Sequence, residues 1–443
     1  MPGAGGAARE GESSKRDGSA PRVVSERAVV SLIGAVQFIN ILDFMMVMPL
    51  GPDFADSLGI PVSNLGLIGG SYTAAASISG LLGSFFLDRF DRRAALGVAM
   101  MGLVVGTAAG GFATGLGTLM AARVLAGAFG GPATSLSLSI IADVIPPERR
   151  GKAMGAVMGA FAVSSVLGVP LGLELSRQGG WRLPFFAVAG LGVLITAGSL
   201  LLLPRMRGHL LDRSEPPSLR KLLSRTEVLL SYTMTTVAMM AGFILIPNLS
   251  AFVQYNLGYP RARLGVLYLV GGVASFATMR VVGMLVDRLG STRVAAAATV
   301  VLAAITYFGF IEPAPWLPVL ALFVGFMISM SSRNVAYNTL TSKVPATGER
   351  ARFMSVQSAV QHLASAIGAV LSSQLLTERP DRSLEGMPRV AWTSMAMLLT
   401  VPVMMALVEG RVRRRDLGYA AASQPQDPQS GIAPAGPGIP RPH

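Results

Sequence analysis

The amino-acid sequence consists of apolar runs of about 20 residues that carry almost no charge and are separated by short polar stretches. Charged residues make up 14% of the chain, whereas soluble domains carry about 25%. A helix of about 20 apolar residues spans a bilayer and satisfies its own backbone hydrogen bonds there. The period-two alternation that is typical of a membrane barrel is absent. The sequence therefore predicts an all-α integral membrane protein.

The apolar runs predict twelve transmembrane helices in two groups of six. The first group is expected near residues 28–50, 64–87, 94–114, 117–142, 152–175 and 183–203. The second group is expected near residues 228–251, 264–286, 294–311, 317–340, 353–376 and 390–408.

The apolar pattern is interrupted twice in the same way, by Asp88–Arg89 and by Asp287–Arg288, 199 residues apart. Each interruption follows the second helix of its group. This indicates a duplicated six-helix unit, and both copies run in the same direction because six is even. Parallel repeats of this kind are built for alternating access, with a binding site between them near the middle of the membrane. We therefore expect two six-helix pseudo-repeats around a central cavity.

Composition predicts the domain boundaries and the orientation. We expect a disordered cytoplasmic tail at 1–27, an N-terminal half at 28–203, a basic cytoplasmic linker at 204–227, a C-terminal half at 228–408, and a second disordered tail at 409–443. Counting Lys and Arg by side gives 27 on the linker side of the predicted helices and 7 on the other. The positive-inside rule then places both termini in the cytoplasm of a bacterial-type inner membrane, which the chain crosses many times.

The same composition excludes several classes of function. The net charge of +13 is spread over the predicted cytoplasmic segments, so no nucleic-acid partner is expected. The chain has no cysteine and three histidines, so neither a metal nor a cofactor is expected. No phosphate-binding loop of the Walker type is present, so ATP would not drive the protein.

Loops at the two interruptions carry a recognisable signature. Gly283 to Arg293 fits the pattern G-x-x-x-D-[RK]-x-G-[RK]-x-[RK]. The first copy keeps the Asp-Arg pair and the basic end, but has Ser84 and Asp91 where the pattern has glycines.

Three further segments lie at matching helices. Arg123 to Gly130 in the fourth helix resembles R-x-x-x-G-x-G, and Gly168-Val-Pro170-Leu-Gly172 in the fifth resembles the G-P-x-x-G motif of antiporters, with Val169 inserted. The stretch NILDFMMVMPLGPDF in the first helix is similar to twelve-helix drug:proton antiporters. Together these motifs resemble the major facilitator superfamily over residues 28–408.

The resemblance implies roles for the motif residues. It implies gating by loop side chains that favour one access state, although they could also serve as ordinary cytoplasmic anchors. These residues are Asp88, Arg89, Arg92, Arg93, Asp287, Arg288 and Arg293. It also implies a bend at Gly168, Pro170 and Gly172 that seals one state, although tight helix packing would need the same residue types.

Asp43 and Arg123 are the candidates for proton coupling. A charge at a helix centre costs about 2.5–3.5 kcal/mol on insertion scales, so such residues usually face the bundle interior and mark function. Asp43 could carry the proton, or it could cap the outer end of its helix. Arg123 could act in coupling, as the resemblance implies, or extend its side chain to the interface. The two could also pair with each other.

A few more residues are candidates for the cavity. Gln37 and Asn40 share an arc of the first helix with Asp43, and Phe44 follows within a methionine-rich stretch that suits apolar substrates. His362 in the eleventh helix could relay protons, or could be a neutral, hydrogen-bonded residue.

The predicted function is secondary active transport, and not an enzymatic activity. The resemblance implies proton-coupled efflux of lipophilic, drug-like small molecules, by a protein that works as a monomer in the bilayer. Export of a sugar, an amino acid or another polar metabolite is an alternative. A non-transporting membrane sensor is a third hypothesis, which would be expected to carry a soluble output domain.

Overall fold

The structure is a computed structural model that describes residues 25–204, 206, 219–345 and 349–422. Within these ranges, eleven helices are long and apolar enough to cross a membrane, and a twelfth, Arg350–Leu375, has 26 residues. The predicted all-helical fold with twelve membrane helices in two halves is confirmed. Most of both predicted tails and of the linker lie outside the described residues.

The N-terminal half contains six spanning helices. These are α1 Glu26–Val47, α2 Leu65–Phe86, α3 Arg92–Gly111, α4 Leu116–Val144, α5 at 147–179 and α6 Arg182–Leu202. Helix α1 begins where the Ser25 side chain accepts a hydrogen bond of 3.3 Å from the backbone N–H of Ala28. It ends two residues before Pro49, whose ring cannot continue a helix.

The C-terminal half repeats this arrangement. Its helices are α7 Thr226–Asn256, α8 Leu264–Leu289, α9 Ser291–Ile311, α10 Val319–Thr341, α11 Arg350–Leu375 and α12 Met387–Ala422. Two short strands, Thr377–Glu378 and Leu384–Glu385, pair antiparallel between α11 and α12. We call the face on which α1 begins and α12 ends the linker side, and the opposite face the far side.

The last helix is longer than predicted. The sequence predicts a disordered tail from residue 409, but α12 continues to Ala422. Glu409 accepts a hydrogen bond of 3.2 Å from the backbone N–H of Thr292, Val412 is buried, and Arg415 donates to the carbonyls of Lys343 and Val344. The prediction of disorder was wrong for this stretch because Glu409 and Arg415 bind segments that are distant in the sequence, the start of α9 and the loop after α10.

The two halves meet along two helix pairs, α2 with α11 and α5 with α8. Small residues allow the close approach. A Cβ at Gly66 of α2 would overlap the backbone carbonyl of Ala369 in α11. Further along the same pair, Ser77 donates a hydrogen bond of 2.8 Å to the carbonyl of Ala359.

The two copies of the charged loop turn differently. Gly290 precedes α9 with φ of 89°, a left-handed conformation that favours glycine. Its counterpart Asp91 has φ of −56° and caps α3, accepting a hydrogen bond of 3.1 Å from the N–H of Ala94. Asp91, which departs from the loop signature, therefore starts α3 with a side-chain cap, whereas Gly290 precedes α9 with a left-handed backbone conformation.

Candidate functional site

Asp43 and Arg123 form a buried ion pair inside the N-terminal half. Arg123 Nη1 donates to Asp43 Oδ1 at 2.9 Å and Nη2 donates to Oδ2 at 2.7 Å, so the contact is bidentate. The side chains of Asp43 and Arg123 are 0% and 1% exposed. Of the alternatives left open by the sequence, the structure selects the pairing of α1 with α4. Bidentate pairs of this kind combine strength with a fixed geometry.

Two more helices contribute to the ion pair. Thr107 of α3 donates from Oγ1 to Asp43 Oδ1 at 2.7 Å. Tyr72 of α2 places its ring against the guanidinium of Arg123, 4.7 Å from the ring centroid, which stabilises a cation over an aromatic face. Four helices of this half therefore converge on one carboxylate and one guanidinium.

The network continues from Tyr72 to Asn40. The Tyr72 hydroxyl donates to Asn40 Oδ1 at 2.7 Å, and Asn40 Nδ2 donates to Thr134 Oγ1 at 2.7 Å and to the Gly130 carbonyl at 2.9 Å. Glycine at 130 leaves the space that this network needs, since a Cβ there would lie 2.8 Å from Asn40 Oδ1. Asn40 is therefore a structural partner of the ion pair.

In this arrangement, protonation of Asp43 would change the contacts of Arg123. A buried charge that loses its partner costs about 3–5 kcal/mol. Protonation of Asp43 would leave Arg123 without its bidentate acceptor, and the guanidinium itself does not give up its proton. The bidentate contact between α1 and α4 therefore requires the ionised form of Asp43.

The other cavity candidates are placed differently. Gln37 is 3% exposed, and its Oε1 has no hydrogen-bond partner among the described residues. Phe44 stacks on Tyr72 with ring centroids 5.4 Å apart and lies 5.9 Å from Phe243 of α7. Phe243 follows Phe44 by 199 residues, the spacing of the two charged loops, so equivalent rings meet between the halves. His362 lies on α11, and none of the described hydrogen bonds joins it to the ion pair.

The helix-five motif lies where α5 meets both α1 and the other half. A stretch with π-helical geometry, Ser164–Gly168, precedes Pro170. A Cβ at Gly168 would lie 2.6 Å from a methyl group of Leu42. Gly172 has looser contacts, since its Cβ would lie 3.9 Å from Met46. Irregular helix geometry is common at functional sites, and apolar periodicity gives no signal for it.

The gating candidates lie on the linker side. Arg92 donates from Nε to Asp143 Oδ2 at 3.1 Å, within the same half. Arg89, Asp287, Arg288 and Arg293 are exposed, and Arg93 is half-buried. The side chain of Asp88 lies outside the described part of the structure. None of the described ion pairs joins these residues to the opposite half.

Ion pairs between the halves lie instead on the far side. Asp53 binds Arg261, with Nε to Oδ1 at 2.5 Å, and Asp56 binds Arg382 with N and O atoms 2.5 Å apart. We call these four residues the far-side clasp. Tyr255 also donates to Asp56, and the N–H of Val62 donates to Glu378. The clasp was not predicted. Its aspartates, Asp53 and Asp56, were a usable signal, because the far-side loops carry few charged residues.

Thr107 and Tyr72 were also missed. Aligning the halves on their charged loops would have drawn attention to Thr107, because Thr306 lies 199 residues after it. Tyr72 has no such counterpart in the other half. Its partners depend on how α2 is rotated against α4, which the sequence does not show.

Comparison with known proteins identifies the fold family. Residues 33–369 match the Major Facilitator Superfamily, about three quarters of the chain. The chain belongs to that superfamily. Proteins of this superfamily are membrane transporters and not enzymes.

Curated relatives are distant. An uncharacterised transporter of this superfamily, YtbD of Bacillus subtilis (strain 168), is 23% identical over 245 residues, which cover 55% of this chain and 59% of the relative. A chloramphenicol resistance protein of Streptomyces lividans is 24% identical over 245 residues, covering 55% and 62%. The matched part therefore spans about 60% of each relative.

Solved structures share the fold. A D-xylose–proton symporter superimposes with a TM-score of 0.68 at 17% identity, covering 86% of this chain and 96% of that one. A mutant form of the nucleoside transporter NupG gives 0.66 at 11%, covering 86% and 99%. A bacterial homologue of the human lysosomal transporter Spinster, in an inward-facing and occupied conformation, gives 0.63 at 16%, covering 89% and 97%.

Proposed function

We propose that this transporter exports small lipophilic compounds in exchange for protons. The buried ion pair of Asp43 and Arg123 is the observation that carries the proposal. A carboxylate within the membrane that is held by one cation and one hydroxyl is a group whose proton occupancy changes the structure around it. The drug-antiporter-like stretch of α1, which contains Asp43, and the chloramphenicol resistance relative support the direction and the substrate class.

Coupling follows from the alternatives open to Arg123. With Asp43 ionised, the guanidinium is bound and α1 is held against α4. When Asp43 takes up a proton, Arg123 must find another acceptor or move, which favours a different packing of the two helices. A substrate that binds better to one of these packings then shifts the proton occupancy of Asp43, because the two equilibria are linked.

Alternating access follows from the far-side clasp. The described conformation has its ion pairs between the halves on the far side, where they hold the halves together. Breaking the clasp would let the far side open, and the charged loops of the linker side would then come together as the gate of the opposite state. The gating role of those loops is part of the proposal.

The orientation is proposed from charge. The linker side carries 27 of the Lys and Arg residues against 7 on the far side. We place the linker side in the cytoplasm and the far side outside a bacterial inner membrane. The described conformation is then closed on the outer side by the far-side clasp, and the protein acts as a monomer.

The test is proton release in proteoliposomes that contain an internal pH dye. Chloramphenicol, a lipophilic cation and a sugar are added in turn to the full-length protein. A proton signal triggered by a lipophilic compound is expected in the wild type and is expected to vanish in Asp43→Asn. Glu385→Gln is the control, because it removes a carboxylate that is 57% exposed on the far side. A response to the sugar alone would favour the polar-metabolite alternative.

A further inference from the structure

Arg333 of α10 is a buried cation with an incomplete set of partners. Its side chain is 1% exposed. Nη2 donates to the carbonyl of Ala238 and to the sulfur of Met330, both at 3.2 Å. Nε and Nη1 have no hydrogen-bond partner among the described residues. Two N–H-bearing atoms of a permanent cation are therefore unsatisfied within the C-terminal half.

No carboxylate of this half can neutralise it from within the membrane. The sequence has no Asp or Glu at 228–286, 288–311, 313–348, 350–377 or 386–408. The acidic residues of the half therefore lie outside these apolar segments. The neighbouring Tyr337 uses its hydroxyl to donate to Thr235 at 2.8 Å.

Arg333 lines a small cavity. The cavity lies among α7, α9, α10 and α12, and it has room for about one water-sized body. The polar residues that line it are Arg333, Thr306 and Ser394. Thr306 already donates to the Leu302 carbonyl at 2.7 Å, and Ser394 donates to the Ala241 carbonyl at 2.5 Å. The donors that remain free to bind an occupant are therefore those of Arg333.

The duplication explains why this cavity exists. Thr306 and Gly242 line it, and they follow Thr107 and Asp43 by 199 residues each. Arg333 lies on α10, the counterpart of α4, but 11 residues beyond Leu322, the position that the same spacing gives for Arg123. The C-terminal half thus repeats the threonine, has glycine in place of the aspartate, and brings a buried arginine to the cavity from a different position on its helix. The cavity is lined by the residue that corresponds to Asp43.

We propose that this cavity is a binding site for a small monovalent anion of about the size of chloride. The anion would accept hydrogen bonds from Nε and Nη1 of Arg333 and neutralise its charge, as Asp43 does for Arg123. The cavity has no room for a transported compound. The proposal does not depend on proton coupling, and its failure would leave the proposed function untouched.

The test is the thermal unfolding of the purified full-length protein, titrated from sodium gluconate into sodium chloride at constant ionic strength. The wild type is expected to show a saturable rise in Tm with chloride, because a ligand that binds the folded state stabilises it. Arg333→Gln is expected to lose this rise. Arg280→Gln is the matched control, since Arg280 of α8 is exposed, and this variant should respond as the wild type does. An equal response of Arg333→Gln and wild type would overturn the proposal.

A second pair of variants tests the site if Arg333→Gln does not fold. Gly242→Asp places a carboxylate at the position that corresponds to Asp43, where a Cβ would come too close only to the flexible end of Met330. Its Tm in gluconate should exceed that of Gly242→Asn, which has the same shape without the charge, and chloride should not raise it further. If the aspartate variant is no more stable than the asparagine variant, the cavity does not select a negative charge.

Discussion

Both halves of this protein bury an arginine within the membrane, but they differ in what lies beside it. Each holds a fully buried arginine on its fourth helix and a threonine on its third. In the N-terminal half an aspartate neutralises the arginine, whereas in the C-terminal half a glycine stands at the equivalent place and a small cavity remains. The comparison teaches that each copy buries one arginine on its fourth helix, while a carboxylate beside that arginine is found in only one of them.

The largest effect is expected from removing the paired arginine. Arg123→Gln leaves Asp43 buried without its cation, which should lower the free energy of unfolding by about 3–5 kcal/mol near neutral pH. Arg333→Gln abandons no carboxylate and should cost far less in chloride-free buffer. Thermal unfolding of both variants in detergent measures the difference. Similar losses for the two arginines would remove the distinction between the halves.

The next effect concerns the two threonines. Thr107→Val removes a hydrogen bond to an ionised carboxylate and should cost about 1.5–3 kcal/mol. Thr306→Val removes only a bond to the carbonyl one turn earlier in its own helix, so its cost should stay below about 1 kcal/mol. Thermal unfolding of the matched pair sharpens the comparison, and a larger loss at Thr306 would mean that its hydroxyl has a partner in the cavity.

The far-side clasp should control which state is populated. Asp53→Asn weakens a half-buried ion pair worth about 1 kcal/mol, which should raise the population of far-side-open molecules about fivefold. The chain has no native cysteine, so Ser373→Cys at the contact of α2 and α11 provides a clean labelling site. Labelling from the far side should accelerate in the Asp53→Asn background. The reversed pair, Asp53→Arg with Arg261→Asp, should return the rate toward its starting value.

The smallest effects are expected at the two copies of the charged loop. Asp91→Ala removes the cap of α3 and should cost about 1 kcal/mol. Gly290→Ala forces a side chain into a left-handed conformation and should cost about 1–2 kcal/mol. Unfolding temperatures of the two variants check whether the copies begin their third helices by different means. A neutral Asp91→Ala would show that the cap contributes nothing there.

The sequence predicted the fold well because a bilayer leaves few choices. Apolar length gave the twelve helices, and the repeated Asp-Arg loop gave the two halves. The extension of α12 to Ala422 escaped prediction because Glu409 and Arg415 bind segments more than 70 residues away in the sequence. Local composition carries no information about such partners.

The candidate site was predictable only in part. Asp43 and Arg123 stood out because charge is costly in hydrocarbon, and their pairing was one of the alternatives that the sequence left open. Tyr72 was not predicted, because its contact with Arg123 depends on the rotation of α2 against α4, which apolar periodicity does not fix. Arg333 is not among the candidates named from the sequence, because the sequence does not show how deeply this side chain is buried. Comparing the two halves residue by residue would have shown that the C-terminal half has a glycine, Gly242, at the position of Asp43.

The central claim is that the proton of the exchange is carried by Asp43, and counting protons per transported molecule tests it directly. Proteoliposomes would report internal pH and the movement of a radiolabelled substrate in the same sample, for the wild type and for Asp43→Asn. The account predicts a fixed proton count per molecule in the wild type. In the variant, exchange of labelled for unlabelled substrate should continue while no protons move. An unchanged proton count in Asp43→Asn would contradict the claim and leave the buried ion pair with a structural role alone.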